Sequence, residues 1–198
     1  MLVFIPWDII KTSIRVWGFN PDHVQGWYFF NLPVEEVLFF IAIPYACLFT
    51  YHAFGYLIKK DYFGEAAKYI TITLILLLTL VALFNTERTY TLVTFLATAF
   101  FLLIHFIFIK DKTYMGRFYF MYMVILIPFF LVNGALTGMF TPEPVVWYDD
   151  TKNLGIRIGT IPIEDSVYGL LMLLMNVTVY EALQSRFNRK EVQIRQGK

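Results

Sequence analysis

The chain has 198 residues, 58% of them hydrophobic and 19% aromatic, against about 45–50% apolar in an ordinary soluble domain. The excess lies in long uncharged blocks, which argues against a soluble globular fold and for membrane spans. Formal net charge is +1 with no basic tract interleaved with aromatics, so nothing points to nucleic acid; the single cysteine, Cys47, excludes an internal disulfide and a cysteine-rich metal site.

The first eight residues, ending Pro6-Trp7-Asp8, are too short and too little basic for a signal peptide and read as the last turns of a membrane helix. Residues 11–30 form a polar and aromatic loop punctuated by Gly18, Asn20, Pro21 and Gly26. Five spans follow, since about 20 apolar residues cross a bilayer. They are Val37 to Ile58 with Pro44 inside, Tyr69 to Thr86, Thr89 to Ile109, Phe118 to Leu136 with Pro128 inside, and Pro162 to Leu183. Lys59-Lys60-Asp61, Glu87-Arg88 and Lys110-Asp111-Lys112 separate the first four. Gly134 and Gly138 make a Gly-x-x-x-Gly, which suggests close helix packing. Residues 137–161 are a long loop, and the tail from Gln184 is polar and basic. Alternating the spans puts eleven of the sixteen basic residues on the side of the C-terminus, which predicts that side to be cytoplasmic.

The strongest signal is a repeat. Pro33-Val34-Glu35-Glu36 returns as Pro162-Ile163-Glu164-Asp165, an offset of 129 positions, each copy opening an apolar run. Upstream, Trp17-Gly18-Phe19 falls near Trp147-Tyr148-Asp149. The prediction is an all-α, polytopic membrane bundle with five full spans and an N-terminal helix remnant. Its internal three-helix repeat would be 1–60, incomplete at its N-terminus, then a linker helix in 61–88, then 89–198. A complete first copy would need about 40 more residues, two spans' worth, ahead of Met1 or a neighbouring helix in trans.

For one motif alone, helix-start acids favoured by the helix dipole are the plainest reading. Two copies facing the same side suggest more. Four carboxyls in one low-dielectric site cannot all ionise, so an acid and a base can share a pocket. Aromatic faces nearby, Trp7, Phe19, Trp27, Phe39, Phe40, Trp147, Tyr148 and Tyr168, could stabilise a cation. Arg157 is placed to pair with an acid, while Asp8, Asn133, Asn176 and Glu181 are polar groups in or near spans, with Asn176 read as a helix–helix hydrogen bond. The three histidines, His23, His52 and His105, are too scattered for a metal cluster. There is no Gly-x-Gly-x-x-Gly, so a dinucleotide-fold flavin or nicotinamide enzyme is not expected.

The run of Pro6-Trp7-Asp8, Trp17-Gly18-Phe19, Asn31-Leu32-Pro33-Val34-Glu35-Glu36, Arg157 to Asp165 and Asn176 to Glu181 resembles the flavin-independent lycopene cyclases. That family occurs as two small membrane subunits, as one fused chain, or joined to a phytoene synthase domain. The resemblance implies an intramolecular lyase or isomerase that closes the end of a linear carotenoid to a β-ring without net redox change. Expected partners are a lipophilic carotenoid such as lycopene, the lipid bilayer, and another copy or subunit; no cofactor and no metal is expected. Glu35 and Glu164 are the expected central pair, with Glu36 and Asp165 tuning them. Asp8, Trp17, Asn31, Pro33, Arg157, Pro162 and Asn176 are expected to support the site. Two rival readings stay open: a proton-coupled transporter, and a non-catalytic subunit that completes a partner's site.

Overall fold

A computed structural model describes residues 3–109 and 112–196, with side chains described as far as Phe187. Met1, Leu2, Lys110, Asp111 and Lys198, which entered the reading of the N-terminal helix and of the basic side, lie outside the described residues. So do the side chains of Arg189, Lys190 and Arg195.

Among the described residues six α-helices carry the chain. They are α1 (Phe4–Ser13), α2 (Val34–Leu57), α3 (Ala67–Phe84), α4 (Thr89–Phe108), α5 (Met115–Leu136) and α6 (Ile163–Gln196). The last five each hold a stretch long and apolar enough to cross a membrane, so the chain is a multi-pass membrane protein. Helix α4 packs against both α3 and α6, and α6 also packs against α2 and α5. The main core lies where α4, α5 and α6 meet, around Phe95, Leu102, Phe118, Met121 and Leu174.

Between the helices run six short strands: β1 (Trp17–Phe19), β2 (Tyr28–Phe29), β3 (Leu32–Pro33), β4 (Val146–Tyr148), β5 (Arg157–Ile158) and β6 (Ile161–Pro162). They form a β2–β3 hairpin, a β5–β6 hairpin and an antiparallel β1–β4 ribbon. Every strand of the first copy lies 129 positions before its counterpart, as do the starts of α2 and α6. Hydrogen bonds repeat with the same offset. Val34 N–H donates to Trp27 O and Ile163 N–H to Ile156 O, while Asn20 N–H donates to Val145 O and Asp149 N–H to Val16 O. The last two bonds cross between copies, so the β1–β4 ribbon relates them by a local two-fold through Gly18 and Trp147. The helices before each ribbon also end alike. Arg15 and Gly138 take φ of 56° and 91°, and the following N–H groups reach back five residues, Val16 to Lys11 O and Met139 to Gly134 O. This is the usual left-handed helix stop.

Two expectations change. Gly134 and Gly138 do not pack two helices; Gly138 supplies the positive φ of the α5 stop, and Gly134 lies under Met139 of that same turn. The polar tail from Gln184 is part of the same helix, since α6 continues to Gln196. Asn176 bonds its own helix, donating to Met172 O. The copies also differ in burial. Leu170 and Leu174 are 5% and 0% exposed beneath α4, whereas their counterparts Ile41 and Tyr45 are 49% and 73% exposed, since α4 has no counterpart against α2 among the described residues.

Candidate active site

Each hairpin delivers two adjacent acids to the start of a helix, and a helix start turns adjacent residues to different sides. The first acid faces back to the loop. Glu35 Oε1 accepts the Gln25 N–H at 2.8 Å, and Glu164 Oε1 accepts the Leu154 N–H at 2.8 Å. Glu164 is fully buried and also accepts from the Thr91 hydroxyl at 2.5 Å. The second oxygen of both carboxyls is buried without a hydrogen-bond partner. These two acids staple the loops to the helices.

The second acid faces inward. Glu36 and Asp165 line one cavity of about 330 Å³, together with Asp8 from α1. Asp165 is buried and accepts three hydrogen bonds. Tyr90 Oη donates at 2.6 Å, Tyr148 Oη at 2.7 Å and Asn133 Nδ2 at 3.3 Å. That donor set suits an ionised carboxylate. Beside it Asp8 accepts from Tyr168 Oη at 3.0 Å, and Asp8 and Glu36 line the same cavity. Carboxyls gathered in one apolar cavity do not all ionise, so one of them can hold a proton. The cavity thus carries two acids, Asp8 and Glu36, either of which can hold a proton, and a carboxylate held by three donors.

Aromatic rings enclose this end. Trp17 sits edge-on to Tyr90, with centroids 5.1 Å apart, and also touches Tyr148 and Tyr168. Burial and the charge of Asp165 push the Tyr148 phenol well above its ordinary pKa, so it remains a donor. Below the acids the cavity is almost wholly apolar, running between α2 and α5 with α6 behind, past Phe39, Ile43, Phe129 and Met172 to Cys47 and Thr50.

The other singled-out residues act at a distance. Arg157 pairs with Asp150 and donates to Thr160 O rather than bonding an acid of either motif, and its guanidinium lies 5.8 Å from the Tyr148 ring centroid. Asn31 Nδ2 ties its hairpin to Ile9 O and to Ser13 Oγ on α1. Pro33 and Pro162 close the two hairpins directly before α2 and α6. Glu181 belongs to a separate cluster with Arg117 and Tyr51 at the opposite end of the bundle. Asn176 is not on the cavity wall. Tyr90 and Gly169 are wall residues that sequence reasoning missed. Tyr90 had a faint signal, a phenol one position into the span that starts on the acid side. Gly169 had a better one, since the repeat sets a glycine opposite Phe40. Among the described residues no group of three or more His, Cys, Asp or Glu side chains could hold a metal ion.

Fold and site define a class: a multi-pass helical membrane protein with carboxyls and phenols gathered at one end of an apolar slot. The chain belongs to the lycopene cyclase family, whose profile it matches over residues 1–54 and 87–183. It is similar to proteins named bifunctional lycopene cyclase/phytoene synthase from three fungi. Identity is 34% over 69 residues with the Aspergillus oryzae protein, covering 34% of this chain and 12% of the relative. For Arthroderma gypseum it is 39% over 51 residues, 26% of this chain and 9% of the relative, and for Aspergillus niger 35% over 54 residues, 27% and 9%. The matched stretch is thus only about a tenth of those relatives' length. No solved structure matches the chain.

Proposed function

We propose that the chain closes the acyclic end of a linear carotenoid such as lycopene to a β-ring, by proton-initiated and redox-neutral chemistry. The observation that carries this reading is one apolar slot whose end holds the carboxyls of Asp8 and Glu36 and a three-donor carboxylate, ringed by aromatics. The Asp8–Glu36 pair gives its proton to the terminal C=C bond, leaving a tertiary carbocation. A neighbouring C=C bond attacks that carbon, closes the six-membered ring and moves the positive charge onto it. Asp165 removes a ring proton to form the ring double bond, and the proton returns to the pair. One proton enters and one leaves, so the product is an isomer of the substrate. Positioned acids and bases supply about 10²–10⁴-fold each, and the faces of Trp17, Tyr168 and Phe40 stabilise the cation as it moves.

The weighting of the acids departs from that expected from sequence. Glu36 and Asp165 take the central places, with Asp8, and Glu35 and Glu164 hold the loops. The slot takes an apolar substrate from the bilayer, with the acid end on the non-cytoplasmic side of the cytoplasmic membrane and the C-terminus in the cytoplasm. The test is pigment analysis in a lycopene-producing host. Asp165→Asn and Glu36→Gln should each cut cyclic carotenoid at least about 100-fold at unchanged membrane insertion. Full cyclic output from either variant overturns the proposal.

A further inference from the structure

The slot beyond the acids is longer than ring closure needs, and among the described residues the space where the repeat would build a second is filled. Its α2 wall runs from Glu36 to Thr50 along a single helical face. Fourteen residues at about 1.5 Å each give a track of about 21 Å. An extended carbon chain advances about 1.2 Å per bond, so the track matches about 17 bonds, roughly half of a symmetric carotenoid.

The two-fold that relates the copies would place a second slot between α1 and α6, against α2. That space is filled. Phe40 is 2% exposed there, its ring stacked 6.4 Å from Phe4 and packed with Leu171 and Met172. At the matching position, 129 residues on, stands Gly169 on the wall of the open slot. A Cβ built on Gly169 lies 3.7 Å from Tyr122 Oη and 3.9 Å from a ring carbon of Phe129, ordinary contacts with α5 across the gap. A methyl therefore fits at this level, and any longer side chain joins α6 to α5 and divides the slot. Beneath the floor the bundle is locked shut. Tyr51, Arg117 and Glu181 bond one another, and Phe54 meets Phe120 with centroids 6.4 Å apart.

We propose that this slot is a one-ended, measured track for half of a linear polyene, with Gly169 its throat and Ala46 and Thr50 its depth gauge. The inference deepens the proposed function and rests on it for the identity of the polyene. The proximal half lies against α6, the distal half leaves between α2 and α5 into lipid, and only one end is processed per binding event.

Polyene binding to the full protein in lipid nanodiscs, read by quenching of Trp17 and its neighbours, tests the track apart from the chemistry. Gly169→Leu should weaken a full-length linear carotenoid at least about tenfold, and Gly169→Ala by less than about twofold. Ala46→Trp adds its bulk at an already exposed position about 15 Å below Glu36. It should weaken the full-length carotenoid about tenfold and leave unchanged a polyene of about ten bonds, which is shorter than that depth. Unchanged full-length binding in Ala46→Trp overturns the proposal, and this variant decides alone if Gly169→Leu fails to fold. Equal weakening of the short polyene overturns the depth assignment. Asp165→Asn should bind normally while forming no ring. If it still cyclises, the proposed chemistry falls, and the track is judged by the binding data alone.

Discussion

At the residue scale, neighbouring acids in each motif meet different surroundings. Glu164 receives a backbone amide and a threonine hydroxyl, whereas Asp165 receives two phenols and an amide side chain from three other elements. Substitutions should therefore separate them. Glu35→Gln and Glu164→Gln keep an oxygen for the loop amide, so cyclic product should stay within about a few-fold of the parent, far above the loss expected at Glu36 and Asp165. Tyr148→Phe removes one of three donors to Asp165. Product formation should fall by about tenfold or more at equal protein level, measured by pigment extraction. An unchanged yield would mean that Tyr90 and Asn133 suffice. Backbone strain gives an independent check. Phe30 holds φ of 57° where the second copy has Gly159 at 64°, and a bulky residue there costs about 1–2 kcal/mol. Phe30 is 78% exposed, so little packing opposes relief of that strain. Phe30→Gly should raise the thermal midpoint in detergent, whereas Gly159→Ala should lower it, because alanine would have to hold a φ of 64° and its Cβ would push the flexible end of Met139 aside.

At the scale of elements, the spans were legible because membrane helices announce themselves by length and apolarity. The sequence placed α4 within a residue at each end and α2 and α5 within about three residues at their starts, where polar and amphipathic side chains carry the helix past the apolar run. The extension of α6 to Gln196 was hidden because its last part is polar. The strands were hidden too. Two- and three-residue strands carry no period, and β1 finds its partner 129 residues away. Motif spacing pointed to two matched acid pairs at helix starts, but not to which acid of each pair faces the cavity, because the hairpin register decides that. The second hairpin also carries a pH-dependent clamp. Burial acts to raise the Asp150 carboxyl, yet hydrogen bonds from Asn153 and Arg157 and the Arg157 charge together hold its pKa below the ordinary value. A carboxyl depressed in the folded state contributes stability above its unfolded pKa, near 3.9, and loses that contribution as pH falls through the lower folded value. The loop should therefore be equally protected at pH 7 and pH 5 and should loosen below about pH 4. Hydrogen exchange at Gly155, whose amide is held by the Asn153 side chain, reads this, and Asp150→Asn should reduce the pH dependence, leaving the part contributed by the neighbouring Asp149, which Thr151 and Lys152 also hold below its ordinary pKa. Loosening that begins at pH 6 in the parent would assign the switch to another group.

At the scale of the molecule, the site exists only because the copies are joined. Asp8 and Glu36 come from the first and Asp165, Tyr148 and Tyr168 from the second, and the β1–β4 ribbon fixes their separation. Its centre is the Gly18–Trp147 pair, where the two-fold passes. The Trp147 indole lies over the glycine so closely that an added Cβ would sit 2.4 Å from Cζ2 and 2.6 Å from Cε2. Real Cβ atoms do not approach that near, so Gly18→Ala must displace either the ring or the ribbon. The ring is 40% exposed and has room to move outward. The neighbours of the pair are Trp17 and Tyr148, both on the cavity wall, so a ribbon that shifts instead moves Tyr148 Oη off Asp165. The two responses separate in a double-mutant cycle. If the ribbon yields, Gly18→Ala lowers ring formation about tenfold or more, since small misplacements of catalytic groups are costly, and Trp147→Ala on the same chain restores much of it by removing the obstruction. If only the indole swings out, Gly18→Ala is nearly silent and the two changes do not couple. We expect coupling. Lost hydrogen bonding across the ribbon would leave Tyr148 and Trp17 without the frame that aims them, whereas Trp147 lines no part of the cavity itself.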